Sequence, residues 1–171
     1  SVSISGFWMD ATEITNNEYR QFVQWVRDSV IARKMGYVKA GADGNEYVDW
    51  AKMKTMKWGD PKLMEQLSST DIILPPDDRI FGKKEIDPSK IVFHSEVFDL
   101  KENAKRENAG KPRSAFIIKK DVAIYPDTLS WIRDFAYSYN EPMTKRYFSH
   151  PAFGNYPVVG VNWKQATAFC E

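Results

Sequence analysis

The spacing of apolar positions near the start of the chain predicts one long amphipathic helix. Its apolar stripe recurs every three or four residues, with charged side chains between, and comprises Tyr19, Phe22, Val23, Val26 and Val30. Thr15 and Glu18 have the spacing of a capping box, so we expect the helix to begin at Asn16. A glycine after two basic residues is typical of a helix end and places that end near Gly36. Residues 3–9 predict a strand that leads into this helix.

The last part of the chain has the same organisation. Residues 155–161 form a short apolar run that predicts a strand. Asn162 and Gln165 again have capping-box spacing, which predicts a second helix. The expected apolar face of that helix comprises Trp163, Ala166, Phe169 and Cys170. Two such units predict a compact α+β fold with helices packed on a mixed, twisted sheet.

The middle of the chain is less regular. Residues 37–44 predict a loop that contains the turn pair Asp43-Gly44, and residues 62–67 predict at most one helical turn. Proline and acidic residues interrupt residues 72–88. We therefore expect the middle third to be surface elaboration.

Two further strands are predicted after this region, at residues 90–98 and 114–125. Residues 100–108 between them are highly charged and favour a solvated helix over a charged docking site. Alternating apolar residues on both sides of Pro126-Asp127 predict a β-hairpin over residues 117–139, although Ile132 and Phe135 also fit a helix.

Composition limits the class of protein. With 171 residues, 43% hydrophobic and 14% aromatic, the chain is long enough for one globular domain or part of one. Its 24 basic and 23 acidic residues leave a net charge of +1, which disfavours nucleic-acid binding. It contains no apolar run of the roughly 20 residues that a membrane helix needs. Because Ser1 lies in a strand pattern and Glu171 in a helical one, we expect the chain to be part of a longer protein.

Reactive residues are few. Cys170 is the only cysteine, so the chain has no internal disulfide, and it does not have zinc-site spacing with His94 or His150. We expect Cys170 to be a small buried hydrophobe and both histidines to be structural. The acidic residues Asp77, Asp78, Glu85 and Asp87 are expected to be solvated rather than to bind a cation. No nucleophile with its base and orienting group is evident, and we predict no catalytic residue, cofactor site or metal site.

Two motifs carry a family resemblance. Phe7-Trp8-Met9-Asp10, followed by residues 13–19, resembles the opening motif of the formylglycine-generating, sulfatase-modifying-factor family. His150-Pro151 and residues 156–170 resemble its second motif. The resemblance implies an irregular α+β fold related to C-type lectins, with this chain as its N-terminal portion. It also implies that the reactive cysteine pair and copper of the family's enzymes would lie beyond this chain, and Cys170 does not match that pair.

The resemblance implies a division of the chain. Framework units would lie at about residues 1–36 and 150–171 of one domain, with an insertion at about 37–149. Within and near the insertion, residues 26–29, 125–129 and 134–143 resemble a structural lipoprotein branch of the family, which serves bacteroidete gliding motility and type IX secretion. This implies a non-catalytic periplasmic component that is held at the outer membrane by a lipid upstream of this chain. It would self-associate in a ring with a second periplasmic protein and contact other secretion components, but not nucleic acid.

Large aromatic residues in or near the insertion are candidate partner-binding residues, because such side chains carry much of the energy of protein interfaces. They are Trp50, Trp58, Trp131, Tyr137 and Tyr139. The alternative is that each covers the core beneath a long loop. Two other functions remain open: the front half of an oxidase that converts cysteine or serine to formylglycine, and, by fold analogy alone, a lectin-like glycan-binding module.

Overall fold

The structure is a computed structural model that describes residues 2–42, 45–56, 60–135, 137 and 142–171. Its helices are α1 (Asn16–Lys34), α2 (Trp50–Met53), α3 (Pro61–Ser68), α4 (Leu100–Asn103), α5 (Ser130–Asp134), α6 (Pro142–Arg146) and α7 (Trp163–Cys170). Its strands are β1 (Val38–Ala40), β2 (Glu46–Val48), β3 (Val92–Phe98) and β4 (Ile117–Ala123). Short 3-10 turns connect several of these elements.

The chain divides into two compact units. The first unit comprises Ser1–Gln21 and Pro126–Val161, and the second comprises Phe22–Tyr125 and Asn162–Glu171. The boundary falls within α1, so the opening turn of that helix belongs to the first unit and the remainder to the second. The division into framework and insertion stays a prediction.

Both ends of α1 are as predicted. The Thr15 amide donates to Glu18 Oε2 at 2.7 Å, and the Glu18 amide donates to Thr15 Oγ1 at 3.3 Å. These two bonds form the capping box that starts the helix at Asn16. At the other end Gly36 adopts a φ of +69°, and the Tyr37 amide donates to the Ala32 carbonyl at 2.8 Å. This arrangement satisfies a terminal carbonyl and ends the helix.

The core of the second unit overturns the expectation that the middle third is surface elaboration. Asp60 caps α3 by accepting from the Lys62 amide at 2.9 Å, and the helix turns Leu63 and Leu67 inward. These two leucines cluster with Ile31 of α1 and with Ile72 and Ile73. The irregular chain after α3 therefore still contributes fully buried side chains, because burial does not require a regular element.

The strand pairing also differs from the expectation. The segment predicted as a loop over residues 37–44 contains β1, which pairs antiparallel with β2. β4 pairs with β3 over seven residue pairs, from Val92 opposite Ala123 to Phe98 opposite Ile117. The predicted hairpin over residues 117–139 is therefore wrong, and α5 forms where its second strand was expected. The described strands form two separate antiparallel pairs rather than a mixed sheet.

The two strands predicted beside the helices do not form either. Residues 3–9 are exposed and form no strand within the described chain. In the later segment a single bridge joins Thr15 to Pro157, beside a bond from the Val158 amide to the Ile14 carbonyl at 2.9 Å. One bridge aligns the two segments of the first unit without building a ladder, which requires successive pairs.

The predicted capping box of α7 is confirmed, but its buried face is not the predicted one. The Gln165 amide donates to Asn162 Oδ1 at 3.0 Å, and the Asn162 amide donates to Gln165 Oε1 at 2.9 Å. Gln165 and Ala168 are buried, whereas Trp163, Ala166 and Cys170 are exposed. Gln165 turns inward because its Nε2 donates to the carbonyls of Ala123 and Tyr125 at 3.0 and 2.9 Å. An apolar side chain at this position would leave both carbonyls without that donor.

Candidate functional site

The second unit contains an open groove with a volume of about 500 Å³. Residues of α1, the β1–β2 hairpin, the start of α2 and the start of β3 line it. Four valines form part of its walls, and the side chains that give it chemical character are Trp25, Arg33, Lys39, Tyr47, Trp50 and Phe93. The volume lies within the range of about 300–1,000 Å³ that is typical of ligand pockets.

Local structure places the groove's aromatic residues. The Asp49 amide donates to the Tyr37 carbonyl at 2.9 Å, which closes the β1–β2 hairpin. The Asp49 carboxylate then accepts from the Ala51 amide at 3.1 Å and starts α2, so that Trp50 is its first residue. Trp25 lies on α1 beside the buried stripe, and its ring centroid is 6.2 Å from that of Phe93 on β3.

The aromatic side chains of the groove are only partly covered. Trp25, Tyr47 and Trp50 are 50%, 48% and 39% exposed. Phe93 below them packs edge-on against Phe22 at a centroid distance of 5.6 Å, and Phe22 packs against Phe169 at 5.5 Å. The groove thus has rigid aromatic support beneath it and exposed aromatic surface at its opening.

The groove is positively charged although the chain as a whole is nearly neutral. None of the described residues that line it is acidic, whereas Arg33 and Lys39 are both basic. In the described ranges no carboxylate lies within 4.0 Å of either side chain. His94 at the groove edge lies 2.6 Å from Asp121, measured from Nδ1 to Oδ1. Both members of that pair are largely exposed.

Only one of the five predicted partner-binding residues lines this groove, namely Trp50. Tyr137 is 99% exposed but belongs to the first unit. Trp131 is half-buried in the same unit, where it stacks on Phe135 and contacts the Tyr147 ring edge-on, both at 5.5 Å. Trp58 and Tyr139 lie outside the described residues. The partner-binding role of all five stays a prediction.

Sequence reasoning missed the residues that surround Trp50 in the groove. Trp25, Ser29 and Arg33 follow one another at four-residue spacing on α1, and this second helix face was a usable signal. Lys39 and Tyr47 were not recognisable in the same way. They face one another across the β1–β2 pair, which the sequence did not predict.

In the first unit the two family motifs meet around Asn16. Its amide donates to the Tyr156 carbonyl at 2.9 Å, and its side-chain Nδ2 donates to the Phe153 carbonyl at 2.8 Å. The Tyr147 hydroxyl donates to the Pro157 carbonyl at 2.7 Å. Asn16 Oδ1 and Trp131 Nε1 are buried and have no hydrogen-bond partner in the described part of the chain. These contacts join Asn16 and Tyr147 to the backbone of residues 153–157.

This junction contains the buried residues Tyr19 and Tyr147, and His150 lies beside it. Burial raises the pKa of Tyr19 to about 12. Burial also raises the pKa of Tyr147, so both phenols are neutral near pH 7. His150 accepts from the Ala152 amide through Nδ1 at 3.1 Å and caps a 3-10 turn.

Other chemistry is sparse in the described residues. They contain no group of three or more histidine, cysteine, aspartate or glutamate side chains placed to hold a metal ion. Cys170 is exposed, so the expectation of a buried thiol is wrong. The physical reason is that α7 turns Gln165 and Ala168 inward instead. Among the helices described here, none combines the length and apolar character required to cross a membrane.

Comparison with known families agrees with the motif resemblance. The model of the sulfatase-modifying factor enzyme 1-like domain matches residues 1–171. The chain therefore belongs to the sulfatase-modifying-factor family, and its mixture of helices and small sheets is an α+β fold. Searches of the curated proteins and of the solved structures found no match.

Proposed function

We propose that this chain is a non-catalytic structural component of the type IX protein secretion and gliding-motility machinery. It resembles the GldK/PorK lipoprotein through residues 26–29, residues 125–129 with Trp131, and residues 134–143. Membership of the sulfatase-modifying-factor family over the whole chain is compatible with that resemblance. The finer proposal on the fold is that it is related to C-type lectins.

The observation that carries the proposal is the exposed aromatic groove of the second unit. Trp25, Tyr47 and Trp50 present large, partly solvated rings over a rigid aromatic base. Burial of such rings beneath a partner favours binding. Tryptophan and tyrosine are also enriched among the residues that contribute most to interface binding energies. An assembly role uses such a surface directly.

The proposed assembly is a ring at the inner face of the outer membrane. A GldN/PorN-like periplasmic protein would be the principal partner, copies of this chain would contact one another, and other secretion components would join them. The membrane attachment would be an acylated N-terminus upstream of residue 1. Two alternatives lead to different results in the same experiment: an oxidase that generates formylglycine for sulfatase maturation, and a lectin-like glycan-binding module.

The test is purification of the full-length, tagged protein from a native cell envelope, followed by mass spectrometry and negative-stain imaging. We expect a ring-sized complex that contains a second periplasmic protein. A lone monomer that oxidises a cysteine peptide from a sulfatase, when supplied with copper and oxygen, would instead establish the oxidase. A monomer that retains neither partner nor oxidase activity but binds a glycan array would establish the lectin.

A matched pair of variants connects the groove to this assembly. Trp50 and Trp163 are each the first residue of a helix, directly after a capping side chain, and both are exposed. Only Trp50 lines the groove. We expect Trp50→Ala to reduce recovery of the partner protein and Trp163→Ala to leave it unchanged. Equal recovery of the partner protein with both variants would show that the groove does not take part in the assembly.

A further inference from the structure

We infer that the groove binds an acidic segment of a partner protein that carries an aromatic or proline residue beside its carboxylates. This inference rests on the proposed function, because it names the chemistry of the partner in an assembly contact. Three properties of the groove carry it: its charge, its exposed rings and the nature of its walls.

Charge complementarity selects an acidic partner. Arg33 and Lys39 are among the residues that line the groove, and no described acidic residue lines it with them. His94 at the edge pairs with Asp121, and in the part of the chain that the structure describes no carboxylate lies within 4.0 Å of Arg33 or Lys39. A carboxylate that approaches the groove therefore meets attraction from two permanent charges, which also speeds association.

The exposed rings select an apolar or aromatic residue next to those carboxylates. Trp25 and Trp50 both line a space of about 500 Å³, which has room for a few side chains but not for a folded element. Aromatic and proline side chains stack on indole rings and lose little conformational entropy on binding. Arginine favours the same arrangement, because its guanidinium pairs with a carboxylate and stacks on rings.

The walls favour a peptide over a carbohydrate. Val26, Val30, Val48 and Val92 are all lining residues, and the described lining includes no carboxylate and no carboxamide side chain. A sugar hydroxyl that lies against these valines finds no hydrogen-bond partner on them, which costs binding free energy. A peptide instead directs an apolar side chain at the valines and its carboxylates at the two cations.

The first experiment measures charge preference with full-length protein and two fluorescein-labelled peptides. One has a central tryptophan and proline flanked by glutamates, and its control replaces each glutamate by glutamine. By fluorescence anisotropy we expect the acidic peptide to bind at least about fivefold more tightly, since two partly exposed charge pairs contribute on that scale. Equal affinity of the two peptides, or no binding of either, would overturn the inference.

Substitutions in the groove test whether the preference for the acidic peptide arises there. We expect Arg33→Gln with Lys39→Gln to abolish the preference for the acidic peptide. The matched control is Lys83→Gln with Lys84→Gln, which removes the same charge from two exposed residues outside the groove lining. Trp50→Ala should weaken both peptides by about tenfold, as loss of an interface anchor does, and Trp163→Ala should not. A preference that survives the groove variants would refute the assignment. Thermal melts of all variants identify any that fail to fold.

A third probe, an acidic galacturonate oligosaccharide, distinguishes peptide from glycan. Binding of the oligosaccharide without binding of the peptide would overturn the inference in favour of the lectin alternative. Failure of the inference is also distinguishable from failure of the proposed function. If the groove variants still assemble into a ring-sized complex, the groove is not the partner site, but the proposed scaffold function stands. If the protein binds the acidic peptide but forms no complex, the groove binds acidic segments, but the proposed scaffold function is wrong.

Discussion

The two units of this protein are held together by different kinds of contact. In the first unit the side chain of Asn16 is fully buried and bonds the backbone of the distant second motif. Its tyrosines behave similarly, since Tyr19 packs on Phe148 at 6.2 Å and Tyr147 bonds Pro157. In the second unit an apolar cluster provides the core, which leaves Trp25 and Trp50 partly solvated beside a groove.

This difference means that the residues that identify the family are not the residues that line the groove. In the first unit the motif residues around Asn16 join two stretches of backbone, so they report on the fold. The groove is built from residues outside those motifs, including Arg33, Lys39 and Tyr47. Because proteins that share a fold can differ in function, the function of each member has to be inferred from its own surface residues.

Leu67→Ala should produce the largest loss of stability, because it truncates a fully buried residue in the apolar cluster of the second unit. We expect the free energy of unfolding to fall by about 2–5 kcal/mol. Chemical denaturation measures it, with Leu100→Ala as the control, since Leu100 is 72% exposed. Equal effects of the two substitutions would show that the cluster does not stabilise this unit.

Gly160→Ala should destabilise the first unit through its backbone. Gly160 adopts a φ of +78°, and an added Cβ would lie 2.2 Å from the Asp127 carbonyl oxygen. The backbone of Asp127 is also bonded to Gly160, because the Asp127 amide donates to the Gly160 carbonyl at 2.8 Å. We expect a loss of about 2–3 kcal/mol in thermal or chemical unfolding.

The control for Gly160→Ala is Gly110→Ala. Gly110 also has a positive φ, +94°, but nothing lies within 4 Å of the added Cβ. Its loss of stability therefore measures conformational strain alone. If both variants lose the same stability, the close approach of Asp127 contributes nothing.

Asn16→Ala tests the polar junction of the first unit. The substitution removes the donor of the Phe153 carbonyl from a buried position, which should cost about 1–3 kcal/mol. Asn103→Ala on the exposed α4 is the matched control and should change unfolding by less than about 0.5 kcal/mol. A junction that tolerates Asn16→Ala as well as the control would not depend on this side chain.

The pH dependence of the α1 cap should be the smallest effect. Hydrogen bonds from the Thr15 amide and hydroxyl lower the pKa of the Glu18 carboxyl from its ordinary value of 4.5. A lowered folded-state pKa means that this stabilisation is present above pH 4.5 and is lost as the pH falls through the lowered value. We therefore expect the melting temperatures of the wild type and Glu18→Gln to converge in acid. A difference that is constant with pH would contradict the role of the charge.

The sequence predicted the features that depend on neighbouring residues. Both capping boxes and the end of α1 at Gly36 follow from contacts within a few positions, and all are confirmed. It also predicted β3 and β4, each of which has apolar residues at four of its seven positions. The family followed from motif residues, and the match over residues 1–171 confirms it.

Strand partners and buried faces were not predictable in this way. The alternation after Pro126 is equally compatible with a strand, but the structure forms α5 there and pairs β4 with β3. Gln165 is polar in sequence but buried in the fold, since two carbonyls at the end of β4 bond its amide. The groove depends on the same kind of long-range contact, so Trp50 alone gave no indication of its neighbours.

Local sequence patterns are therefore sufficient to predict where α1 and α7 start, where α1 ends, and to which family the chain belongs. Capping bonds join residues three positions apart, and their geometry is set by the local backbone. The folded structure was needed to show which strands pair and which side of α7 is buried. It was also needed to show that one groove is lined by Trp25, Arg33, Lys39 and Trp50. These outcomes depend on burial and hydrogen bonding between segments that are far apart in the chain. Local sequence patterns are compatible with several such arrangements and do not distinguish between them.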